Sequence, residues 1–179
     1  MDKLEELHKI FSNVNDWLKF AEAKNAVLIG FISTILGLLI AGLTSFSICT
    51  QSIIKYILMP IEIIAIIISV ISFFPFFELN NLFSIFKSSG TDNYKKKKNI
   101  FFFEYLKNLK SKEVISYFEL KENEDFSIDD KISKDITEQI ITNAKITSQK
   151  LKLFKYSGLL ALLGFLISGI FYVISRLVI

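Results

Sequence analysis

The sequence predicts an all-α integral membrane protein in which three helices span the bilayer: a two-span hairpin and a C-terminal span, with a small helical cytoplasmic segment between them. Two observations predict this class. Hydrophobic residues make up 51% of the 179 residues, more than a soluble domain of this size usually contains. Glycine and proline number only seven and two, so little in the chain interrupts long helices.

Three apolar runs identify the predicted spans. A helix rises about 1.5 Å per residue, so about 20 apolar residues cross about 30 Å of hydrocarbon. The first run extends from Ala26 to about Cys49 and the third from about Tyr156 to Ile174, and neither contains a charge. The second extends from about Tyr56 to Phe77 and contains one charged residue, Glu62. Each run is predicted to be helical, because backbone amides need partners in lipid.

The placement of lysine and arginine predicts the orientation. Nineteen of the 21 positive residues lie either in the N-terminal tail or between the second and third spans, and cytoplasmic segments carry such an excess. The N-terminus is therefore expected in the cytoplasm, and the short hairpin loop Thr50–Lys55 and the C-terminus outside. The predicted parts are a cytoplasmic amphipathic helix at 1–25, a transmembrane hairpin at 26–77, a helical cytoplasmic segment at 78–155 and a C-terminal transmembrane helix at 156–179.

The N-terminal tail has an amphipathic helical pattern. Its apolar residues recur at alternating spacings of three and four, which is typical of a packed helical seam. They are Leu4, Leu7, Phe11, Val14, Leu18 and Ala21. Three interpretations stay open: the stripe packs on the chain's own cytoplasmic helices, associates with a second copy, or lies in the plane of the membrane interface.

The segment 78–155 is predicted to combine loops with helices. The run Lys95–Lys98 is interpreted as a solvated loop, as a contact with anionic headgroups or as a contact with a ligand phosphate. No glycine or proline occurs between about Ile128 and Gly158, so one helix is predicted from about Ser127 into the third span. Its apolar stripe is expected at Ile128, Ile132, Ile136, Ile140, Thr147, Leu151 and Phe154.

Glu62 is the sharpest functional candidate. An ionisable group inside a span is costly, so it usually faces a protein interior or water. Three interpretations stay open. Glu62 lines a pore or contacts a cation; it is protonated and hydrogen-bonded to Thr44 or Ser168; or the span begins later and the side chain extends to the interface. Pro60, two residues earlier, is expected to kink the helix or to mark its start.

Small residues form rows at four-residue spacing in the first and third spans. Such rows allow helices to approach closely in lipid. The residues singled out for helix packing are Gly30, Ser33 and Gly37 in the first span and Gly164 and Ser168 in the third. The rows predict packing either within one chain or between two copies.

The sequence offers no candidates for catalysis or for a metal site. It has one cysteine, Cys49, and one histidine, His8, which cannot form a zinc cluster or a Cys–His pair at the usual spacing. It contains no phosphate-binding loop and no nucleophile or metalloprotease motif. The net charge of +3 is too small to indicate nucleic-acid binding. We therefore expect a protein that is not an enzyme, and the residues of any ligand site are unknown.

Two short motifs precede the first and last spans. FAEAKNAVLIGF contains an acidic residue, Glu22, a one-residue spacer and Lys24, followed by small and apolar residues. QIITNAKITSQKLKLFKYSGLLALLG runs from a Gln-Ile pair to a lysine followed by an aromatic residue. Both motifs, and the order of a charged helix, a hairpin, a helical segment and a final span, resemble the Pycsar-type transmembrane effectors of bacterial anti-phage defence. The matching positions of the second motif are Gln139, Asn143, Lys150 and Lys155.

The chain departs from that family's pattern at three places. Glu22 stands where the family usually has Asp, and Asn25 where it prefers a small residue. The aromatic Phe-Gly step of the middle segment appears only as Phe101–Glu104, without the glycine. A related two-span effector family of nucleotide-messenger operons is the second resemblance, but its members lack a C-terminal span.

The resemblance implies a function. A partner pyrimidine nucleotide cyclase would make cyclic UMP or cyclic CMP on infection. The effector, in the bacterial inner membrane, would bind it directly or through a partner, assemble as a homo-oligomer and impair membrane integrity, so that infection aborts. Such activation requires the ligand to favour the assembled state, and the long helix from Ser127 is the candidate coupling element. The alternative is a constitutive small channel or a scaffolding membrane subunit.

Overall fold

The computed structural model describes residues 3–43, 48–73, 99–122 and 131–177. Within these residues the secondary structure is entirely helical, which confirms the all-α class. A π-helical turn, Ile54–Leu58, joins the second α-helix to the third. The α-helices are α1 Lys3–Gly42, α2 Ile48–Ile53, α3 Met59–Ile71, α4 Phe103–Leu106, α5 Ser111–Glu122 and α6 Lys131–Leu177.

In the described part of the chain, three helical stretches are long and apolar enough to cross a membrane, which confirms the three predicted spans. They are Leu4–Gly42, Gln51–Ile71 and Lys131–Phe171. Helix α6 is continuous for 47 residues, so the predicted run of one helix into the third span is correct over its described part. Residues 127–130, where that helix was expected to begin, lie outside the described residues.

The connection between the first two spans lies earlier than predicted. Helix α1 ends at Gly42 and α2 begins at Ile48, so the first span does not extend to Cys49 and the segment Thr50–Lys55 is helical. Glycine is a poor helix former and often ends helices, which explains the earlier end of α1. Lys55 is consequently an exposed residue on helical backbone.

The π-helical turn lies directly before Pro60. Proline has no backbone N–H and its ring clashes with the carbonyl group four residues earlier, which disturbs the regular α-helical ladder. The Met59 N–H bonds to the Ile54 carbonyl oxygen, five residues back. Such π turns occur mostly as single turns within α-helices and often at functional sites. Pro60 therefore modifies the second span without ending it.

The chain divides into two compact units. The first, here the polar unit, consists of Met1–Ala21 and Pro75–Gln149. The second, here the membrane unit, consists of Glu22–Phe74 and Lys150–Ile179, so helices α1 and α6 contribute residues to both. The predicted boundaries at residues 25, 77 and 155 lie within six residues of these divisions.

The core of the polar unit is formed by apolar side chains from α1, α4, α5 and α6. The predicted stripe on α1 is correct at Leu7, Val14 and Ala21, which are buried. Ile10, which the prediction omitted, is fully buried in place of Phe11. The ring of Trp17 packs on that of Phe103, with ring centroids 5.3 Å apart. The fully buried side chains from the other helices are Leu106, Val114, Ile140 and Ala144.

The predicted apolar stripe on α6 is wrong at its beginning. Ile132 is 62% exposed, and Ser133 and Thr137 are buried instead. Four residues of an α-helix turn about 400°, so a strict four-residue spacing drifts about 40° per step around the helix. The stripe beginning at Ile128, which itself lies outside the described residues, therefore does not follow one face. The buried face follows the alternating spacing of Ser133, Thr137, Ile140, Ala144 and Thr147.

Polar side chains also connect the helices of the polar unit. The Ser148 hydroxyl donates to Glu104 Oε1 at 2.6 Å, and Lys107 Nζ donates to Ser148 Oγ at 3.1 Å and pairs with Glu104. These three residues join α4 to α6. Asn143 Nδ2 donates to Asn15 Oδ1 at 2.8 Å, which joins α6 to α1. Asn143 is one of the positions that resemble the effector family.

Candidate functional site

The membrane unit contains a three-helix contact between α1, α3 and α6. Its buried centre consists of Ile32, Ala65 and Ala161, one from each helix. Two of the three are alanines, and small residues allow the helices to approach closely. A line of polar side chains lies along the same buried faces. It is called the polar track here and comprises Glu22, Lys150, Asn25, Ser72, Ser69, Ser157 and Glu62.

An ion pair forms one end of the polar track. Lys150 Nζ lies 2.8 Å from Glu22 Oε1, and it also lies 5.9 Å from the ring centroid of Phe73. The Lys150 side chain is only 8% exposed, whereas Glu22 is 46% exposed. Lys24 lies over the Phe154 ring at 5.4 Å. The two resemblance motifs, which are far apart in sequence, thus meet through Glu22 and Lys150.

The next pair joins α1 to the end of the second span. Asn25 is buried, and its Nδ2 donates to Ser72 Oγ at 2.6 Å. Within the described part of the chain, the Asn25 Oδ1 atom accepts no hydrogen bond. Asn25 was noted in the sequence as a departure from the family pattern, and here that departure supplies a buried interhelical hydrogen bond.

Two fully buried serines join α3 to α6. The Ser157 hydroxyl donates to the Ala65 carbonyl oxygen at 2.6 Å. It also lies 2.6 Å from Ser69 Oγ. A serine has one hydroxyl hydrogen, and Ser157 has committed its own to Ala65, so Ser69 donates to Ser157. The pair satisfies three polar groups in a place where water is excluded.

Glu62 lies at the other end of the polar track. It is eleven residues after Gln51 and nine before Ile71, in the middle of the second span. Its side chain is fully buried, and neither carboxyl oxygen has a hydrogen-bond partner among the residues that the structure describes. The interpretation that Glu62 extends to the interface is therefore wrong, because the span continues by more than two turns on each side.

The hydrogen-bond partners expected for Glu62 are not seen. The Ser168 hydroxyl donates within its own helix, to the Phe165 carbonyl oxygen at 2.7 Å. Thr44 lies outside the described residues. Glu62 instead packs directly against the backbone of Gly164. A Cβ atom at Gly164 would overlap Glu62 Oε1 and lie 3.0 Å from Glu62 Cδ and 3.4 Å from Ile61 Cγ2, so the missing side chain makes the space that the carboxyl group occupies.

A cavity of about 270 Å³ lies one turn from Glu62 in the membrane unit. Leu58, four residues before Glu62, and Phe165, next to Gly164, are among its lining residues. Among the described residues of the lining, Ser168 supplies the only polar side chain. The cavity therefore lies on the side of Glu62 away from Ser69 and Ser157.

The small residues of the first span face away from the chain. Gly30, Ser33 and Gly37 are exposed, and a Cβ at either glycine would meet nothing within 4 Å. Among the described residues, this row of small residues therefore does not pack against another helix of the same chain. In the third span, Gly164 packs on Glu62, and Ser168 lines the cavity.

Sequence reasoning identified some members of the polar track and missed others. Glu22 and Glu62 were singled out, and Lys150 was noted only as a position resembling the family. The buried Asn25 and the three serines were not assigned a role. For Ser69 and Ser72 the signal was spacing: Glu62, Ala65, Ser69 and Ser72 follow one face of a helix at steps of three, four and three. Lys95–Lys98 lies outside the described residues. No group of three or more potential metal ligands occurs in the described part of the chain.

Comparison with known proteins assigns the family. The Pycsar effector protein domain matches residues 6–175, which is nearly the whole chain and includes all of the polar track. No curated protein and no solved structure matches the chain. Proteins of this family act in anti-phage defence that is signalled by cyclic nucleotides, and the three spans make this chain a membrane protein. The chain belongs to the Pycsar effector protein family.

Proposed function

We propose that the protein is a non-enzymatic effector that assembles in the inner membrane after a cyclic-nucleotide signal, impairs membrane integrity and so aborts infection. The observation that carries this proposal is the buried, unpartnered carboxyl group of Glu62 in the middle of a span. Such groups are costly in lipid and mark ion or substrate pathways when they occur. A helix that only anchors the protein in the membrane does not require a buried carboxyl group.

The polar track supports a route through the membrane unit. From Glu62 on α3 to Ser72, the residue after α3, it advances by ten residues, which is about 15 Å or half of the hydrocarbon thickness. The cavity beyond Leu58 covers part of the other half. In the described arrangement the side chains of Glu62 and Ile61 pack against Gly164 and close the route. Activation would separate these helices and join the two parts.

The outward row of Gly30, Ser33 and Gly37 supports assembly as a homo-oligomer. The row lies on the face of α1 opposite to the buried Asn25 and Ile32, so it is available to a second copy. Helix association in lipid depends on close packing of such small residues.

The signal is proposed to be cyclic UMP or cyclic CMP, made by a partner pyrimidine nucleotide cyclase. The protein would bind the nucleotide directly or through a partner. The proposed orientation, with the N-terminus in the cytoplasm and the C-terminus outside, would place the tail and the segment between the second and third spans on the side where the nucleotide is made.

The test is infection of bacteria that carry the effector with its cyclase. We expect entry of a membrane-impermeant dye before phage release, in cells with the intact pair. A cyclase variant without catalytic activity is the matched control and should keep cells impermeable. Equal dye entry with both cyclases would favour the constitutive channel. Cell death without dye entry would refute the membrane-integrity proposal.

A further inference from the structure

The Glu62 carboxyl group is surrounded by uncharged residues wherever the structure describes its neighbours. On one side lies the layer of Ile32, Ala65 and Ala161. On the other side are Leu58 and Phe165 at the cavity. The group itself rests on Gly164. No hydrogen-bond donor reaches either carboxyl oxygen.

The titratable groups on the three packed helices are distant along the helix axes. At about 1.5 Å per residue, none lies within about 9 Å of Glu62 in axial position. On the second span both neighbouring titratable side chains are exposed. The nearest of these groups are Lys55 and Tyr56 on the second span, Lys24 on α1, eight residues before Ile32, and Lys155, Tyr156 and Tyr172 on α6, nine and eight residues before and eight residues after Gly164.

An ionised carboxylate in these surroundings would be strongly unfavourable. The cost of burying an unpaired charge remains large even after the protein relaxes, and a group in this position neutralises instead. A neutral carboxylic acid carries no net charge, so it loses much less solvation free energy when it is buried. The packing of Glu62 on Gly164 fits an uncharged group, because it offers contact without any compensating donor.

We infer that Glu62 is an intramembrane proton-binding site. It holds a proton while α1, α3 and α6 are packed, and it releases the proton when water reaches the carboxyl group. The ligand of the site is thus the proton itself. The site rests on the geometry of Glu62 and is independent of nucleotide signalling. Opening of the bundle would convert a neutral side chain into a negative charge at mid-membrane.

Infrared spectroscopy of the purified full chain in liposomes at neutral pH tests this inference. The Glu62→Gln variant keeps the shape of the side chain but cannot bind a proton. The wild-type minus variant difference is expected to contain the carbonyl stretch of a protonated carboxylic acid, shifted in heavy water. A difference that contains the bands of an ionised carboxylate instead would overturn the inference.

Chemical labelling supplies a second test on the wild-type protein. An apolar carbodiimide reacts with a protonated acid. The acid proton moves to a carbodiimide nitrogen, the carboxyl oxygen bonds to the central carbon, and the acyl group then shifts to nitrogen. Nothing leaves, so the protein gains the full mass of the reagent. Peptide mapping is expected to place this adduct on Glu62 and to find none there in Glu62→Gln.

A charged, water-soluble carbodiimide is the matched control reagent. It is expected to modify the half-exposed Glu22 and to leave Glu62 unmodified, because water does not reach Glu62 in the packed bundle. Modification of Glu62 at the same rate as Glu22 by this reagent would show a hydrated carboxylate and would overturn the inference.

Discussion

The Gly164→Ala substitution places a methyl group where the structure has no room for one. Its Cβ would overlap Glu62 Oε1 and lie 3.0 Å from Glu62 Cδ. Glu62 is fully buried, so its carboxyl group must shift against packed neighbours to make room. Overpacking of this kind costs about 1–3 kcal/mol. It is partly offset by the preference of helices for alanine over glycine, which is worth up to about 1 kcal/mol.

Gly169→Ala is the matched control, because Gly169 lies on the same helix and a Cβ there meets nothing within 4 Å. The helix-propensity gain is common to both variants and cancels in their difference. Gly164→Ala is therefore predicted to be less stable than Gly169→Ala by about 2 kcal/mol, the middle of the overpacking range. Equilibrium unfolding in mixed micelles, followed by far-UV circular dichroism, measures this difference.

Removing the obstructing side chain should relieve the overlap. In the double variant Gly164→Ala with Glu62→Ala, the alanine at 164 is predicted to cost about 1 kcal/mol less than it does in the wild-type background, because contacting residues couple. Equal stabilities of Gly164→Ala and Gly169→Ala, or additive effects in the double variant, would refute the packing of Glu62 on Gly164.

Three further predictions concern other parts of the membrane unit. Lys150→Met is predicted to lower the free energy of unfolding by about 1 kcal/mol, because its partner Glu22 is half-exposed and the ion pair is partly screened. The double exchange Lys150→Glu with Glu22→Lys should restore part of this loss, and no recovery would contradict the ion pair. Ser157→Ala is predicted to lower the free energy of unfolding by about 0.6–1.7 kcal/mol, the range for interhelical hydrogen bonds in membranes. Ser168→Ala should lower it less, because the Ser168 hydroxyl bonds within its own helix. The reverse order on unfolding in micelles would contradict the interhelical role of Ser157. A membrane-impermeant maleimide is predicted to label Cys49 on intact spheroplasts and not the Cys49→Ser variant, and labelling only after lysis would reverse the proposed orientation.

The spans could be predicted from the sequence because the signal is compositional. A run of about 20 consecutive apolar residues is typical of a membrane-spanning helix. The rarity of glycine and proline made the long helix α6 predictable. Glu62 stood out for the same reason, as a charge in an apolar run. The end of α1 was placed too late because GLTSFS is as uncharged as the span before it, so hydropathy alone does not show where the helix stops.

The pairing of the helices could not be predicted. Glu22 and Lys150 are 128 residues apart, and a sequence pattern shows which face of a helix is distinctive but not which helix it meets. In lipid the outward face is also apolar, so the row of Gly30 and Gly37 looked the same whether it faced inward or outward. The prediction of the apolar stripe on α6 was wrong at its beginning for a geometrical reason, because a four-residue repeat drifts around the helix.

The most direct test of membrane damage by this effector is dye release from liposomes that contain the purified protein, with a panel of cyclic mononucleotides added. If the chain binds the nucleotide directly, release is expected with one pyrimidine nucleotide, cyclic UMP or cyclic CMP, and retention of the dye with the others and without nucleotide. Retention with every nucleotide, in liposomes that a pore-forming peptide still empties, would contradict direct activation of this chain by the nucleotide.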